Sequence, residues 1–266
     1  MNANPGRKHG ISNALTLDDQ LYCNPELAQF YDLENGYGPD FDYCAQLARD
    51  ASSVLDLGCG TGMFLSSLPG DRYLVGVDPA AAMLEIATRR PGGAKVTWIE
   101  ADARMVRLDD KFDLIVLTGH AFQVFLNEPD QRSVLATIAA HLTPSGRFIF
   151  DSRNPGKESW RSWTPAETMR NFEHPKLGTI EAWSDVSQND ETGVVTYDSY
   201  YRIRSEGRQL SAHSDIYFVA KPVLDNMIKD AGLIVDGWLG DWHGTPWHRA
   251  SHDIIPIGRL AGQDHA

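Results

Sequence analysis

Val54-Leu55-Asp56-Leu57-Gly58-Cys59-Gly60-Thr61-Gly62 is a strand running into a glycine-rich turn. Apolar residues around a single acid form a short buried strand. Glycines at alternate positions then let the chain turn sharply into a helical stretch from Gly62 to Ser67. Such a turn leaves free N–H groups and the positive end of a helix dipole facing a ligand. It is not the dinucleotide pattern Gly-x-Gly-x-x-Gly, because Met63 stands where the third glycine would be. Asp56 sets a carboxylate where a pyrophosphate would have to lie, and a carboxylate suits an ammonium better.

The same texture continues downstream. Residues 73–77, 96–99, 112–117 and 147–150 are short apolar runs, and helical stretches at 80–90 and 131–141 separate them. Strands of continuous apolar character alternating with helices predict a parallel sheet covered on both faces. Upstream, Asn24-Pro25 caps a helical pattern carrying Leu27, Phe30 and Tyr31, and a second helix is expected over 40–48 after Gly36, Gly38 and Pro39.

Beyond Pro155 the period changes. Residues 179–186, 194–204 and 210–219 alternate with period two, joined by turns at 188–193 and 205–207, which predicts an antiparallel meander. A helix over 222–231, ended by Gly232, and two closing strands at 233–238 and 253–257 complete the chain. The expected organisation is a core of residues 20–155 and 221–262, an inserted antiparallel sheet at 156–220, and a flexible N-terminus at 1–19.

Two more acids stand at strand ends. Asp78 closes the second strand 22 residues after Asp56, the spacing at which such folds offer a carboxylate to ribose hydroxyls. Asp102 follows the third strand, where a side chain can meet an adenine amino group. Together with the glycine loop, Gly76-Val77-Asp78-Pro79, Met83-Leu84, Glu100-Ala101-Asp102-Ala103 and Phe112 to Leu117 resemble the successive motifs of class I S-adenosylmethionine-dependent methyltransferases of the small-molecule type. The resemblance covers residues 25–155 closely and the closing strands more loosely. It implies a doubly wound, seven-stranded Rossmann-like α/β sheet, the antiparallel β-meander at 156–220 inserted so as to cover the acceptor site, and S-adenosylmethionine as cofactor.

The resemblance also implies roles. Asp56, Gly58, Cys59 and Gly60 would hold the methionine end, and Asp78 with Pro79 the ribose. Met83 would pack on the adenine, with Asp102 and Ala103 at its edge. Leu117, Thr118 and Gly119 would line the cofactor at the fourth strand. Phe30-Tyr31-Asp32 is similar to the helical segment that lids the cofactor, with Tyr31 at the methionine carboxylate. Cys59 reads as a small packing residue rather than a nucleophile.

Methyl transfer needs a lone pair in line with the S–CH3 bond, so the enzyme mainly holds two partners in near-attack geometry. A base is required only where the nucleophile arrives protonated. His120, just past the fourth strand, is the candidate base, the alternative being a histidine that only bonds backbone at the strand end. Arg153, past the fifth strand, could anchor a substrate carboxylate or form a structural salt bridge. Tyr217 shares a face of the third meander strand with His213 and Asp215, a set that either covers the site or faces solvent. Trp160, Trp163 and Trp183 in the insert, and Trp238, Trp242 and Trp247 near the end, could wall an acceptor or pack insert on core.

Composition narrows the partners. Of 266 residues, 24 are Lys or Arg and 36 Asp or Glu, a net charge of −12 that disfavours nucleic acid and anionic membrane. Enzymes that methylate adenine or glutamine amides carry Asn/Asp-Pro-Pro-aromatic after the fourth strand, where this chain has Thr118-Gly119-His120-Ala121-Phe122-Gln123. No apolar run approaches the roughly 18 residues that span a bilayer, and the start lacks a signal-peptide core. Cys23, Cys44 and Cys59 form no Cys-x-x-Cys pair, which argues against a disulfide scaffold or a zinc site. A cytoplasmic enzyme acting on oxygen or nitrogen of a small molecule is expected. The rival readings are an S-adenosylmethionine-binding module without catalysis and an NAD-dependent oxidoreductase.

Overall fold

The computed structural model describes residues 19–262. The N-terminus expected to be flexible lies outside those residues, apart from Asp19. That residue is ordered into a cap: its carboxylate accepts from Leu21 N at 3.0 Å and starts helix α1 (Gln20–Cys23). Asn24 then caps α2 (Pro25–Ala28), accepting from Glu26 N at 2.9 Å, with proline in the first turn as anticipated. The pattern from Asn24 onward is not one long helix. It breaks into single turns, α2 and α3 (Tyr31–Glu34), before Gly38 and Pro39 open α4 (Pro39–Leu47).

The core strands follow: β1 (Ser53–Leu57), β2 (Tyr73–Asp78), β3 (Thr97–Glu100), β4 (Phe112–Leu117) and β5 (Leu142–Phe150). Helices α5 (Met63–Ser67), α6 (Ala81–Arg89) and α7 (Glu128–His141) connect them. A short β6 (Ser152–Arg153) leads into the insert. After the insert, α9 (Lys221–Asp230), β11 (Leu233–Leu239) and β12 (Asp253–Leu260) close the sheet in the order β11-β12-β5-β4-β1-β2-β3, with β6 paired to β12. Strands β1 to β5 run parallel; β12 is antiparallel to its neighbours.

Period two decides which layer each strand residue meets. Leu55, Leu57, Val75, Val77, Ile115 and Leu117 face one layer, against Val134 and Ile138 of α7 and Leu224 and Ile228 of α9. Val54, Leu74, Leu114 and Val116 face the other, against Cys44 and Ala48 and against Phe64 and Leu65 of α5. The sheet is therefore doubly wound. Asp56 shares the alternation of Val54, so at the end of β1 it comes near the start of α4, within the electrostatic reach of Asp40. No described helix is long and apolar enough to cross a membrane.

The insert has four strands, not three. Its β8 (Gly178–Gln188), β9 (Val195–Ile203) and β10 (Arg208–Ile216) match the expected meander, and β7 (Arg170–His174) joins the edge after a one-turn α8 (Pro165–Thr168). Its short run of polar and charged residues hid β7, because an edge strand needs only one apolar anchor, here Phe172. On β10, Ala212, Ser214 and Ile216 are buried while His213 and Asp215 are exposed, so the polar set faces solvent.

Candidate active site

The strand ends of β1 and β2 are stitched by Asp78. Its Oδ2 accepts from Gly60 N at 2.8 Å and its Oδ1 from Ala80 N at 2.9 Å. Gly58 N and Cys59 N donate to Val77 O at 2.7 and 3.1 Å. Gly58, Gly60 and Gly62 all lie in the left-handed region, with φ of 74°, 52° and 72°. A Cβ on Gly62 would overlap the Trp98 ring, which backs the loop from β3. The Cys59 thiol is buried and raised by that burial, so it is a packing group.

Asp56 is buried and its Oδ1 has no hydrogen-bond partner. Burial, then the charges of Asp78 and Asp40, push its carboxyl up to about 8. Burial raises Asp78 as well, in spite of its two backbone donors. Across the loop lies Tyr31: Cβ atoms built on Gly60 and Gly119 would stand 4.0 Å from its Cε1 and 3.9 Å from its hydroxyl. Its phenol is pushed far up by burial and by Asp78. Met83 is buried beside Ala28 and Ala80, with Tyr31 packed on the same cluster.

The second half of the site lies past β4. Gly119 and His120 take successive left-handed conformations, φ 66° and 62°, and for a histidine that is a strained choice of roughly 1–3 kcal/mol. The turn brings Nε2 to 3.2 Å from Asp253 Oδ1 and 3.4 Å from Asp151 Oδ2, while the His120 backbone N donates to Asp151 Oδ1 at 2.9 Å. Asp151 is fully buried, its Oδ2 has no hydrogen bond, and burial raises its carboxyl. Asp40, at the start of α4, is raised by burial and by Asp151. Five carboxylates thus converge on the C-terminal mouth of the sheet.

A methyltransferase domain family matches residues 54–146. The chain is 26% identical over 210 residues to the cypemycin N-terminal methyltransferase of a Streptomyces species, covering 78% of this chain and 83% of that one. It is 27% identical over 242 residues to the dTDP-3-amino-3,6-dideoxy-α-D-glucopyranose N,N-dimethyltransferase of Streptomyces fradiae, covering 84% and 90%. Its fold superposes on an S-adenosylmethionine-dependent methyltransferase from Clostridium acetobutylicum with a TM-score of 0.75 at 19% identity, covering 90% of this chain and all of that one. Residues 54–146 are a methyltransferase domain, and the chain is an S-adenosylmethionine-dependent methyltransferase.

The residues present fit that donor. An unpartnered buried carboxyl stands beside a loop whose three left-handed glycines leave its backbone bare. Not every residue singled out from the sequence of this methyltransferase has its side chain in the cleft. Leu117 and Ala103 belong to the core layer, so only their backbones can face a ligand. Thr118 is buried at the strand end and Pro79 is partly covered. Asp102 is held by its neighbour: Arg104 Nε bonds both carboxylate oxygens at 3.1 and 3.0 Å, and Nη2 adds a bond of 2.6 Å. Tyr217 falls just past β10, in a cleft of about 310 Å3 shared with Leu126, Gln131, Pro155 and Val223.

Several residues gathered at this mouth escaped the sequence. Asp151 ends a strand just as Asp56 and Asp78 do, and that rule would have found it. Asp253 had no such signal, since it reaches His120 from the antiparallel closing strand, 133 residues away. Gln123 holds two segments, accepting from Arg153 N through its side chain at 2.7 Å and from Tyr217 N through its carbonyl at 2.8 Å. Asp32 accepts from Thr61 Oγ1 at 2.6 Å and pairs with Arg90, whose Nε donates to Thr61 O at 2.9 Å, clamping α3 to the glycine loop. The tryptophans mostly pack: Trp183 stacks on Tyr200, and Lys221 Nζ lies 3.8 Å from the ring centre of Trp238 and 5.4 Å from that of Trp247.

Proposed function

We propose that this enzyme transfers the methyl group to an amine nitrogen of a small molecule, with His120 as the proton acceptor. The carrying observation is the carboxylate pair on His120 Nε2, from Asp151 and Asp253. An acid-lined pocket attracts an ammonium and resists an enolate or phenolate. With Nε2–H given to Asp253, Nδ1 keeps the free lone pair, and no described residue bonds to it. The cofactor supplies an electrophilic methyl group. An ammonium arriving there would first give a proton to Nδ1, where the two acids stabilise the imidazolium, and the freed amine lone pair would then take the methyl group.

On the donor side, Asp56 is assigned the cofactor ammonium, Asp78 the ribose hydroxyls and Met83 the adenine face, with Tyr31 closing over the methionine end. Asp102 and Ala103 are assigned the adenine edge, Asp102 reaching it while still tied to Arg104. The two relatives that match 78% and 84% of this chain are named an N-terminal methyltransferase and an N,N-dimethyltransferase, which supports nitrogen over oxygen. Net charge and the acidic mouth support an acceptor that is not a polyanion. The test is a paired screen of aliphatic amines and phenols with S-adenosylhomocysteine release as the readout. Turnover of amines, lost in His120→Ala, is expected; turnover confined to phenols would overturn the assignment.

A further inference from the structure

Among the described residues at the mouth of the sheet, Arg153 is a basic side chain whose setting the proposed chemistry leaves unexplained. It sits on β6, opposite Asp253 in the β6–β12 register and two residues after Asp151. Its guanidinium lies 4.9 Å from the ring centre of Trp163, which the insert presents through the cluster of Trp160, Ile216, Phe218 and Tyr197. Tyr197 and Tyr22, whose hydroxyls are 3.0 Å apart, stand close enough to act on its charge. Burial pushes the guanidinium down from its ordinary range.

A guanidinium carries five N–H donors, and in a half-buried setting such as that of Arg153 they favour a bound acceptor. Here no described residue accepts a hydrogen bond from the side chain or pairs with it at salt-bridge distance. The two neighbouring acids are spent on His120: Asp253 Oδ1 and Asp151 Oδ2 approach Nε2, and Asp151 Oδ1 takes the His120 N–H. The Trp163 ring lies under the guanidinium carbon and leaves the N–H donors without a described acceptor. Residues two apart on an extended segment stand roughly 7 Å apart on one face. An anion-seeking group and an ammonium-seeking pair are therefore set side by side.

We propose that the acceptor is a short zwitterion, an amine whose own carboxylate docks on the Arg153 fork beside Trp163 while its nitrogen sits at His120, Asp151 and Asp253. This rests on the amine assignment above and narrows it. A carboxylate fits better than a bare amine because its two oxygens match the fork, and the attached amine then reaches the acids without a long linker.

The experiment uses the full chain with S-adenosylmethionine. The probes are glycine, β-alanine, γ-aminobutyrate and the proteinogenic α-amino acids, each beside its primary amide, with phosphoethanolamine and two phenols added. S-adenosylhomocysteine release gives kcat/KM, and calorimetry with S-adenosylhomocysteine checks that each sample binds. At least one acid is expected to exceed its own amide by about 100-fold, the scale of a charge-assisted bidentate contact. Arg153→Met should bring that ratio near 1, and Arg153→Lys, which keeps charge without the fork, should leave it near 10. Should the methionine variant not fold, the lysine variant carries the test alone.

Equal turnover of acids and amides overturns the zwitterion and leaves the amine assignment standing. So does an acid preference that survives in both variants, since it would not come from Arg153. Turnover of phosphoethanolamine alone overturns the carboxylate, as does the failure of every amine probe in a sample that binds S-adenosylhomocysteine. Turnover of phenols alone overturns the amine assignment itself.

Discussion

Asp56 makes cofactor affinity depend on pH, and the size of the effect follows from its setting. Its carboxyl is held at about 8 by burial and by the charges of Asp78 and Asp40, so about nine-tenths of it is protonated at pH 7. An ammonium bound at its unpartnered Oδ1 requires the ionised form, and binding releases that proton. The ammonium of a free amino acid, beside its own carboxylate, is more basic than a chain terminus and stays charged across this range. The ionised fraction of Asp56 then sets the trend, and affinity should rise about ninefold from pH 6 to pH 7 and about 50-fold by pH 8. Calorimetry with S-adenosylhomocysteine at pH 7, in two buffers of different ionisation enthalpy, should show release of about 0.9 proton. Asp56→Asn should abolish the release and flatten the rise. The same group destabilises the free protein as pH increases. Its folded pKa lies above the unfolded 3.8, so between those values the native state holds a proton that the unfolded chain gives up, and stability falls with pH across that window. The Asn variant should lose that slope and bind more weakly. Constant affinity from pH 6 to pH 8 in the native protein would refute the ammonium assignment.

Three further outcomes are expected. His120→Ala should lower kcat by roughly 10²–10⁴-fold while cofactor affinity changes little, as single-turnover and binding measurements would show; equal loss in both would make His120 structural. Asp78→Ala should weaken S-adenosylhomocysteine binding by about 1–3 kcal/mol and also lower the melting temperature, because the Gly60 and Ala80 amides lose their acceptor. Gly62→Ala should destabilise by about 2–4 kcal/mol in denaturant titrations, from a left-handed φ of 72° together with overlap on Trp98. A variant as stable as the parent would mean that the Trp98 wall yields.

What was legible in the sequence depended on whether local rules decided the structure. The β1–β2–β4 motifs were readable because a buried parallel strand must be continuously apolar and a strand-to-helix turn with close backbone approach must be glycine-rich. Boundaries moved where caps lay outside the apolar pattern. The α7 helix starts at Glu128 because Asn127 accepts from Asp130 N at 2.9 Å, two polar residues that periodicity does not register. The β7 edge strand was unreadable for the opposite reason, its pairing with β8 being backbone-driven and its side chains mostly solvated. At the site, each acid ending its own strand could be found. Asp253, a partner defined only by antiparallel closure of the sheet, could not.

The insert bears on the donor site as well as on the acceptor, and adjacent residues show how. Phe30 is fully buried in the insert's cluster with Ile180, Ala182 and Ile203, stacked on Tyr201 at 5.2 Å. Tyr31, the next residue, faces the other way, onto Met83 and the glycine loop. One turn later Glu34 accepts from Tyr201 Oη at 2.6 Å and pairs with Arg170 of β7. Asp32, between them, is clamped to Thr61 and Arg90 of the core. The single-turn helices α2 and α3 are too short to be stable alone. They hold their form because one face belongs to the four-stranded sheet and the other to the cofactor domain. Loosening the sheet, for example by Tyr201→Ala, therefore releases Tyr31 through its neighbours Phe30 and Glu34. Cofactor affinity should drop even though Tyr201 lies in the insert, and an unchanged affinity would show that the core clamp on Asp32 positions α3 without the sheet.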